Sequence, residues 1–223
     1  IFTQKGDGWE EVKICDLVAA KVLSKPLDGN HGDIHPKKAD FVDEGIPFIM
    51  ASNLVDGKVN QVSCNFLRRE LADCLRKGFS KDGDVLLSHK GTIGRVAVLT
   101  TKLDYVMLTP QVTYYRVIDE GILYNRYLYY YFQFPVFQKE MGEIAGIGST
   151  RAYIGITKQL TLQVSYPSIE EQLKIVDSLD LLSTKTRELE TIYQQKLTAL
   201  NELKQSILQK AFTGELIQRE GNV

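Results

Sequence analysis

Between Ser168 and Thr213 the sequence contains neither glycine nor proline. No other stretch limits as strongly what the chain can fold into. Ser168 and Glu171 have the Ser-x-x-Glu spacing of a capping box, and Gly214 supplies a C-terminal stop. Inside these limits two series recur every seven residues. One is Ile175, Leu182, Leu189, Lys196, Leu203 and Lys210; the other, offset by four, is Leu179, Thr186, Tyr193, Leu200 and Ile207. Eight of these eleven positions are apolar, which makes a coiled-coil seam. The pattern predicts one helix of about 45 residues, about 67 Å long at 1.5 Å per residue. A usual globular helix has about 11–12 residues, so this one is expected to extend past the domain before it. Its seam is too apolar to face water alone. Folding back onto its own domain would cover only part of that length. A second copy of the same helix, or a helix of another subunit, is the better partner. The residues expected in that contact are Ile175, Leu179, Leu182, Leu189, Tyr193, Leu200, Leu203 and Ile207.

The period changes at Pro167. Before it, apolar residues at Leu160, Leu162, Val164 and Tyr166 alternate as in a strand. The division expected is a globular domain over 1–166 and a helical segment over 167–223. The globular part reads as α+β. Asp56-Gly57 is a turn signal between Phe48-Ile49-Met50 and Lys58-Val59-Asn60, which predicts a hairpin. Lys81-Asp82-Gly83-Asp84 is a second turn, followed by Val85-Leu86-Leu87; Val96–Leu99 and Val112–Val117 are further strands. Leu123, Tyr127, Tyr130 and Phe134 follow helical spacing in an aromatic-rich stretch that ends near Pro135. Helix packing accounts for these rings without a ligand, and a base-stacking platform is the sharper alternative.

Composition narrows the function by exclusion. The formal charge is −1, and residues 1–166 carry 20 Lys+Arg against 19 Asp+Glu. Such a chain does not coat nucleic acid by bulk charge, although a local basic patch remains open. No apolar run approaches the roughly 20 residues of a membrane span, so no membrane partner is expected. Cys15, Cys64 and Cys74 form no Cys-x-x-Cys pair, and the odd count fits a reducing, cytoplasmic setting. His31 and His35 lie four apart, but Gly29, Gly32 and Pro36 argue for a polar surface loop over a zinc pair. There is no P-loop, no Gly-x-Ser-x-Gly elbow, no His-Glu-x-x-His helix, and no Asn/Asp-Pro-Pro-Tyr motif of an amino-methylating DNA methyltransferase. No cofactor, metal or catalytic residue is expected. Lys90-Gly91-Thr92-Ile93-Gly94-Arg95 sits between strands, so its glycines read as a hairpin turn; their backbone can approach a phosphate, with Lys90 and Arg95 beside it.

Several blocks, in order, resemble the specificity subunit of type I restriction–modification enzymes. Gly8-Trp9-Glu10 with Val12 and Leu17 looks like the entry to a target-recognition domain, and Gly45-Ile46-Pro47-Phe48-Ile49 with Asn53-Leu54 resembles the next block. Gly83-Asp84-Val85-Leu86-Leu87-Ser88 through Arg95 is the most characteristic match. Gly148-Ser149-Thr150-Arg151, Pro167-Ser168-Ile169-Glu170-Glu171-Gln172, and Leu203 through Gly214-Glu215-Leu216 follow. Each block alone is weak, and their order along nearly the whole chain is specific.

The resemblance implies a non-catalytic reader of double-stranded DNA that recognises half of a bipartite site. It implies methyltransferase subunits and a restriction subunit as partners, with long helices packed as a coiled-coil ruler. Family members usually carry two such domains and two helices, whereas this chain has one of each. A natural half-subunit that dimerises, or a fragment of a longer chain, both fit, and either favours a homodimer in isolation. Lys37, Lys38, Lys90, Thr92, Arg95 and Arg151 are expected DNA contacts. Target-specific readers are expected in stretches that carry no shared pattern: Lys21–Lys38, Asn65–Lys77 and Thr109–Gln111. Two other classes stay open at this point: a coiled-coil interaction module with no DNA role, and an enzyme with an unrecognised carboxylate site, such as a nuclease.

Overall fold

Four short strands of the globular part are buried at every position, which places the core between stacked sheets. In the computed structural model, residue 6 and residues 8–31, 34–146 and 152–215 are described. By its contacts the chain forms two compact units, Ile1–Val176 and Asp177–Val223.

In the first unit a six-stranded sheet has the order β2-β12-β9-β10-β6-β5. Its strands are β2 (Leu27–Asp28), β5 (Leu54–Val55), β6 (Gly57–Val59), β9 (Val85–Ser88), β10 (Val96–Val98) and β12 (Val112–Tyr115). A five-stranded sheet has the order β3-β7-β4-β11-β8. It contains β3 (Phe41–Val42), β4 (Ile46–Ile49), β7 (Asn65–Leu67), β8 (Phe79–Ser80) and β11 (Val106–Leu108). The strands β1 (Glu10–Lys13) and β13 (Gln163–Tyr166) pair antiparallel as a separate ribbon.

Alternate residues of a strand face opposite sides, and the two apolar clusters follow this rule. Ile49, Val106 and Leu108 of the five-stranded sheet pack with Leu86, Ala97, Val112 and Tyr114 of the six-stranded sheet. Ile46, Phe48 and Met107 point the other way, onto Ala72 of helix α2 (Arg69–Asp73). The six-stranded sheet is covered on its outer face by α3 (Asn125–Gln133), where the rings of Tyr115 and Phe132 meet edge to face at 4.8 Å. Strands buried on both faces explain why the sequence shows continuous apolar runs there and not alternation.

The aromatic helix ends at Gln133, as Pro135 predicts, but Pro135 also opens a further helix, α4 (Pro135–Ala145), since proline is tolerated in a first turn. Tyr127, Tyr129, Tyr131 and Phe132 are buried, which supports packing over a stacking platform.

Two expectations need correction. The Asp56-Gly57 turn does join a hairpin, but its strands are β5 and β6; Phe48 and Ile49 belong to the other sheet. The reason is a single 3-10 turn at Ala51–Asn53, where buried Asn53 Oδ1 accepts the Met50 N–H at 2.9 Å and turns the chain between sheets. Similarly, Leu160 and Leu162 are not strand. They follow the short helix α5 (Ile156–Gln159), whose Gln159 Nε2 donates to the Ile154 carbonyl, and the strand begins at Gln163.

Asp84 is fully buried at the start of β9. Its carboxylate accepts from Ser80 Oγ at 2.9 Å, from the Lys81 N–H at 2.7 Å, and from Nε and Nη2 of Arg116, both at 2.8 Å. Arg116 Nη2 also donates to the Phe79 carbonyl at 3.0 Å, and the guanidinium lies over the Tyr114 ring. The hydrogen bonds to Asp84 raise the Arg116 pKa above its ordinary value. The remaining elements are α1 (Ile14–Ala19), which packs beside β1, and α6 (Ile169–Phe212).

Helix α6 starts and stops as its sequence predicts. Ser168 Oγ accepts the Glu171 N–H at 3.4 Å, while Glu171 Oε1 accepts from Trp9 Nε1 at 3.3 Å. At the far end Gly214 has φ 77°, its N–H donates to Ala211, and the Glu215 N–H donates to Lys210 at 3.0 Å, a Schellman stop. The helix has 44 residues. Ile175 is buried within the first unit. In the second unit Leu182, Leu189, Tyr193, Leu200, Leu203 and Ile207 are 49–62% exposed. Among the described residues no helix is long and apolar enough to cross a membrane.

Removing the arginine leaves a buried carboxylate without its counter-charge. Arg116→Ala is therefore expected to cost about 3–5 kcal/mol, read as a lower urea midpoint. A loss below about 1 kcal/mol would show that the pair does not anchor the sheets.

Candidate nucleic-acid interface

Loops from both sheets meet around Asp28, the last residue of β2, which is 2% exposed. Lys77 Nζ donates to its Oδ1, and His31 Nε2 donates to its Oδ2 at 2.7 Å. Burial alone raises the Asp28 pKa, but the hydrogen bonds and charges of Lys77 and His31 outweigh it and hold the carboxyl below its ordinary value. Asn30 clips the same region together: its Nδ2 donates to the Lys77 carbonyl at 2.6 Å and its Oδ1 accepts the Arg76 N–H at 3.1 Å. Gly29 is required here, because a Cβ would sit 1.9 Å from the Leu108 carbonyl oxygen.

His89 is fully buried behind this network. Its Nδ1 lies 3.0 Å from the Ile154 carbonyl, which only accepts, so Nδ1 carries the proton. Its Nε2 has no hydrogen-bond partner and lies 3.9 Å from Asp28 Oδ2. Burial lowers the His89 pKa, and the nearby Asp28 charge only partly offsets it.

Beside these residues opens a cleft of about 380 Å³. Phe41, Phe48 and Met50 form its apolar side, and Asn65, Thr109 and Gln111 its polar side. His31, His35 and Lys90 complete it with Pro110, and no carboxylate is among the described lining residues. The turn Thr109–Val112 is rigid. The Val112 N–H donates to the Thr109 carbonyl, the His89 N–H to the Gln111 carbonyl at 2.9 Å, and the Thr109 N–H to Ile49 at 2.9 Å. Pro110 sits where a turn favours proline. Thr109 Oγ1 and His35 Nδ1 are buried without a partner.

The structure brings together some expected site residues and separates others. Lys90 lines the cleft and is exposed. Thr92 and Arg95 lie in the same β9–β10 loop, both exposed, outside the cleft lining. That loop is held by the Gly94 N–H to Ser88 at 3.0 Å and by Ser88 Oγ, which accepts the Arg95 N–H at 2.9 Å. Arg95 Nη1 also reaches the Ala51 carbonyl at 3.3 Å. Gly94 has φ 87° and packs against Gln138, so the Gly-x-x-Gly spacing is a hairpin-loop requirement. Lys37 and Lys38 are exposed at a one-turn 3-10 helix capped by Asp40 and do not line the cleft. Arg151, with Gly148-Ser149-Thr150, lies outside the described residues. The sequence reading missed Phe41, Phe48, Met50 and the Asp28–Lys77 pair. It treated His31 and His35 as an ordinary polar loop, whereas both line the cleft. Among the described residues no group of three or more His, Cys, Asp or Glu could hold a metal, and the three cysteines are free.

The family profile of the type I restriction modification DNA specificity domain matches residues 6–199. The chain belongs to that family. This specificity-domain chain is similar to the EcoBI specificity subunit of a type I restriction enzyme from Escherichia coli, with 26% identity over 94% of this chain and 42% of that protein. It is also similar in fold to a chain from a structure of complex assembly in a type I R-M system, with TM-score 0.71, 21% identity, and coverage of 94% of this chain and 47% of that one. A third likeness is the HsdS subunit of Thermoanaerobacter tengcongensis, with TM-score 0.65, 21% identity, and coverage of 95% and 46%. The specificity-domain chain thus spans about half the length of the relatives it matches. The α+β globular unit with a long C-terminal helix is the fold they share.

A lowered His89 pKa has a definite pH signature. The unfolded chain takes up a proton near pH 6.5 that the folded chain resists, so this contribution to stability is present above pH 6.5 and is lost as pH falls below it. Wild-type unfolding midpoints are expected to fall more between pH 7 and pH 5 than those of His89→Gln. Parallel slopes for the two proteins would remove His89 as the cause.

Proposed function

We propose that the chain is a non-catalytic DNA-specificity subunit that reads one half of a bipartite duplex site. The observation that carries this reading is the family match, which runs through the globular unit and most of the helix. It disfavours a coiled-coil module without a DNA role. A cleft whose described lining includes Lys90 and no carboxylate supports the same reading. In it residues 1–166 are the target-recognition domain and residues 167–223 the coiled-coil segment. Lys37, Lys38, Lys90, Thr92 and Arg95 contact the DNA backbone from exposed loops, and Arg151 joins them from outside the described residues. Methyltransferase subunits supply methyl transfer and much of the phosphate grip, and a restriction subunit completes the assembly in the cytoplasm.

A charge of −1 fits this division of labour. Phosphate contacts position a protein on DNA, and base contacts discriminate. The isolated chain is expected to bind DNA weakly, and the assembly tightly and specifically. The test is to co-express the chain with its genomic neighbours, purify the complex, and map methylated positions in host DNA. Sequence-specific nanomolar binding by the chain alone, or no specific methylation by the complex, refutes the scheme. Within the complex, Lys90→Ala should lower affinity alike for all sequences and reduce the salt slope by about 1.

The exposed seam of the second unit supports a homodimer. Leu182, Leu189, Tyr193, Leu200, Leu203 and Ile207 leave large apolar surface in water unless a second helix covers it. A two-fold dimer presents two identical readers in opposite orientations, and hence specifies an inverted repeat. Light scattering at micromolar concentration should give a dimer, and Leu200→Asp with Leu203→Asp a monomer. A wild-type monomer under these conditions overturns the pairing.

A further inference from the structure

We propose that the cleft beside Asp28 is the base-reading element of this chain, and that it takes the major-groove edge of an A·T pair. The Gln111 amide bonds adenine N6 and N7, and the Phe41–Met50 wall receives the thymine methyl. The inference rests on the DNA-reading function proposed above and says where, and for which base pair, discrimination arises.

Three observations carry it. First, the polar side of the cleft comes from three stretches outside the blocks that resemble the family, His31 and His35, Asn65, and Thr109–Gln111, while Phe48 and Lys90 come from within those blocks. These are distant in sequence and meet only because β4, β7 and β11 are neighbours in one sheet, while β2, β9 and β12 are neighbours in the other. A reader whose target differs between relatives belongs on residues of this kind, held by a scaffold that does not change.

Second, the amides on its polar side are uncommitted while the backbone of the Thr109–Gln111 turn is fixed. Gln111 is exposed and Asn65 half-buried, and neither amide has a hydrogen-bond partner among the described residues. Thr109 is 4% exposed, yet its Oγ1 has no partner. A buried hydroxyl without a partner costs stability unless something satisfies it. By contrast, the Thr109 N–H, the Thr109 carbonyl and the Gln111 carbonyl are all bonded. The turn is therefore preorganised, and it presents the exposed Gln111 amide.

Third, the donor and acceptor inventory favours A·T over G·C. In the major groove, adenine offers an N7 acceptor and an N6 donor, which an amide matches with both of its ends; thymine adds a methyl group that favours apolar contact. Guanine offers two acceptors and favours arginine or lysine. The described lining has two amides beside an apolar wall; its lysine, Lys90, sits in the β9–β10 loop assigned above to phosphate, and of its two histidines His31 is bonded to Asp28.

The test uses the purified assembly of this chain with its methyltransferase subunit, on duplexes in which each base pair of the methylated site is replaced in turn. With Gln111→Ala, the preference for A·T at one position of each half-site should fall by roughly 5- to 150-fold. Other positions should be unchanged. Gln111→Glu should move the preference at that position towards a pair presenting the cytosine amino group, a gain that misfolding cannot produce. A uniform loss over all duplexes, or unchanged discrimination with both variants, overturns the inference while leaving DNA reading intact. Relaxed specificity at a G·C pair in Lys90→Ala also overturns it. If the wild-type assembly itself shows no sequence preference, the DNA-reading function falls first and the base assignment falls with it.

Discussion

One buried carboxylate ties the two sheets of the globular unit together. Apolar burial drives the sheets to stack, but it has no direction and cannot by itself choose a register. Asp84 supplies that choice. It bonds Ser80 of the five-stranded sheet, starts β9 in the middle of the six-stranded sheet, and grips Arg116 just beyond β12. Arg116 in turn reaches back to the Phe79 carbonyl on β8. A slip of any of these strands by one residue would strand a charge in a core of Leu86, Val106 and Leu108. The stabilisation of such a pair over an apolar substitute is small, whereas breaking it is expensive. That asymmetry is what makes the pair a registration device.

The loops at the cleft inherit their positions from this frame. The β9–β10 loop leaves the six-stranded sheet at Ser88, the last residue of the strand that follows Asp84. The β11–β12 turn crosses from one sheet to the other within Thr109–Gln111, so it fixes the spacing between the sheets at the place where the cleft opens. The loop after β2 lies against that turn because Gly29 lacks a Cβ and donates its N–H to the Thr109 carbonyl, and the Asn30 clip holds the same loop to Lys77. Side chains on such loops hold their places with little ordering to lose on binding, which is the condition for discriminating a base edge.

How much of this was legible in the sequence depended on how local its cause was. The limits of α6, the Asp56-Gly57 turn, the Lys81–Asp84 turn and the helix end before Pro135 follow from residues a few places apart, and the structure places each as expected. The sheet to which Phe48 and Ile49 belong was not legible, because it depends on Asn53 turning the chain and on a parallel partner, β11, nearly sixty residues away. The role of Arg116 was hidden for the same reason: nothing near it announces a buried partner at Asp84. At the candidate site the exposed basic residues were visible by type, while the cleft was not, since Phe41, Asn65, Lys90 and Gln111 converge only through sheet order. Even so, each of the three stretches picked out because they matched no shared pattern contributes to it, beside Phe48 and Lys90 from the resembling blocks.

The near-zero charge takes on a physical meaning once the cleft is considered with the frame. A strongly basic surface binds every sequence, and it deepens the non-specific background from which a specific site must be distinguished. A polar group that is desolvated against the wrong base and left unpaired penalises that base directly. In the base-reading proposal the amides of Asn65 and Gln111 are groups of this second kind. Asp28 removes Lys77 from the pool of loose cations by bonding it, and it holds the His31 ring as well. Of the cations near the cleft, Lys90 is the one without such a partner among the described residues. The chain thereby keeps its non-specific attraction low at the position where its hydrogen-bonding groups are least satisfied, and this favours discrimination over grip.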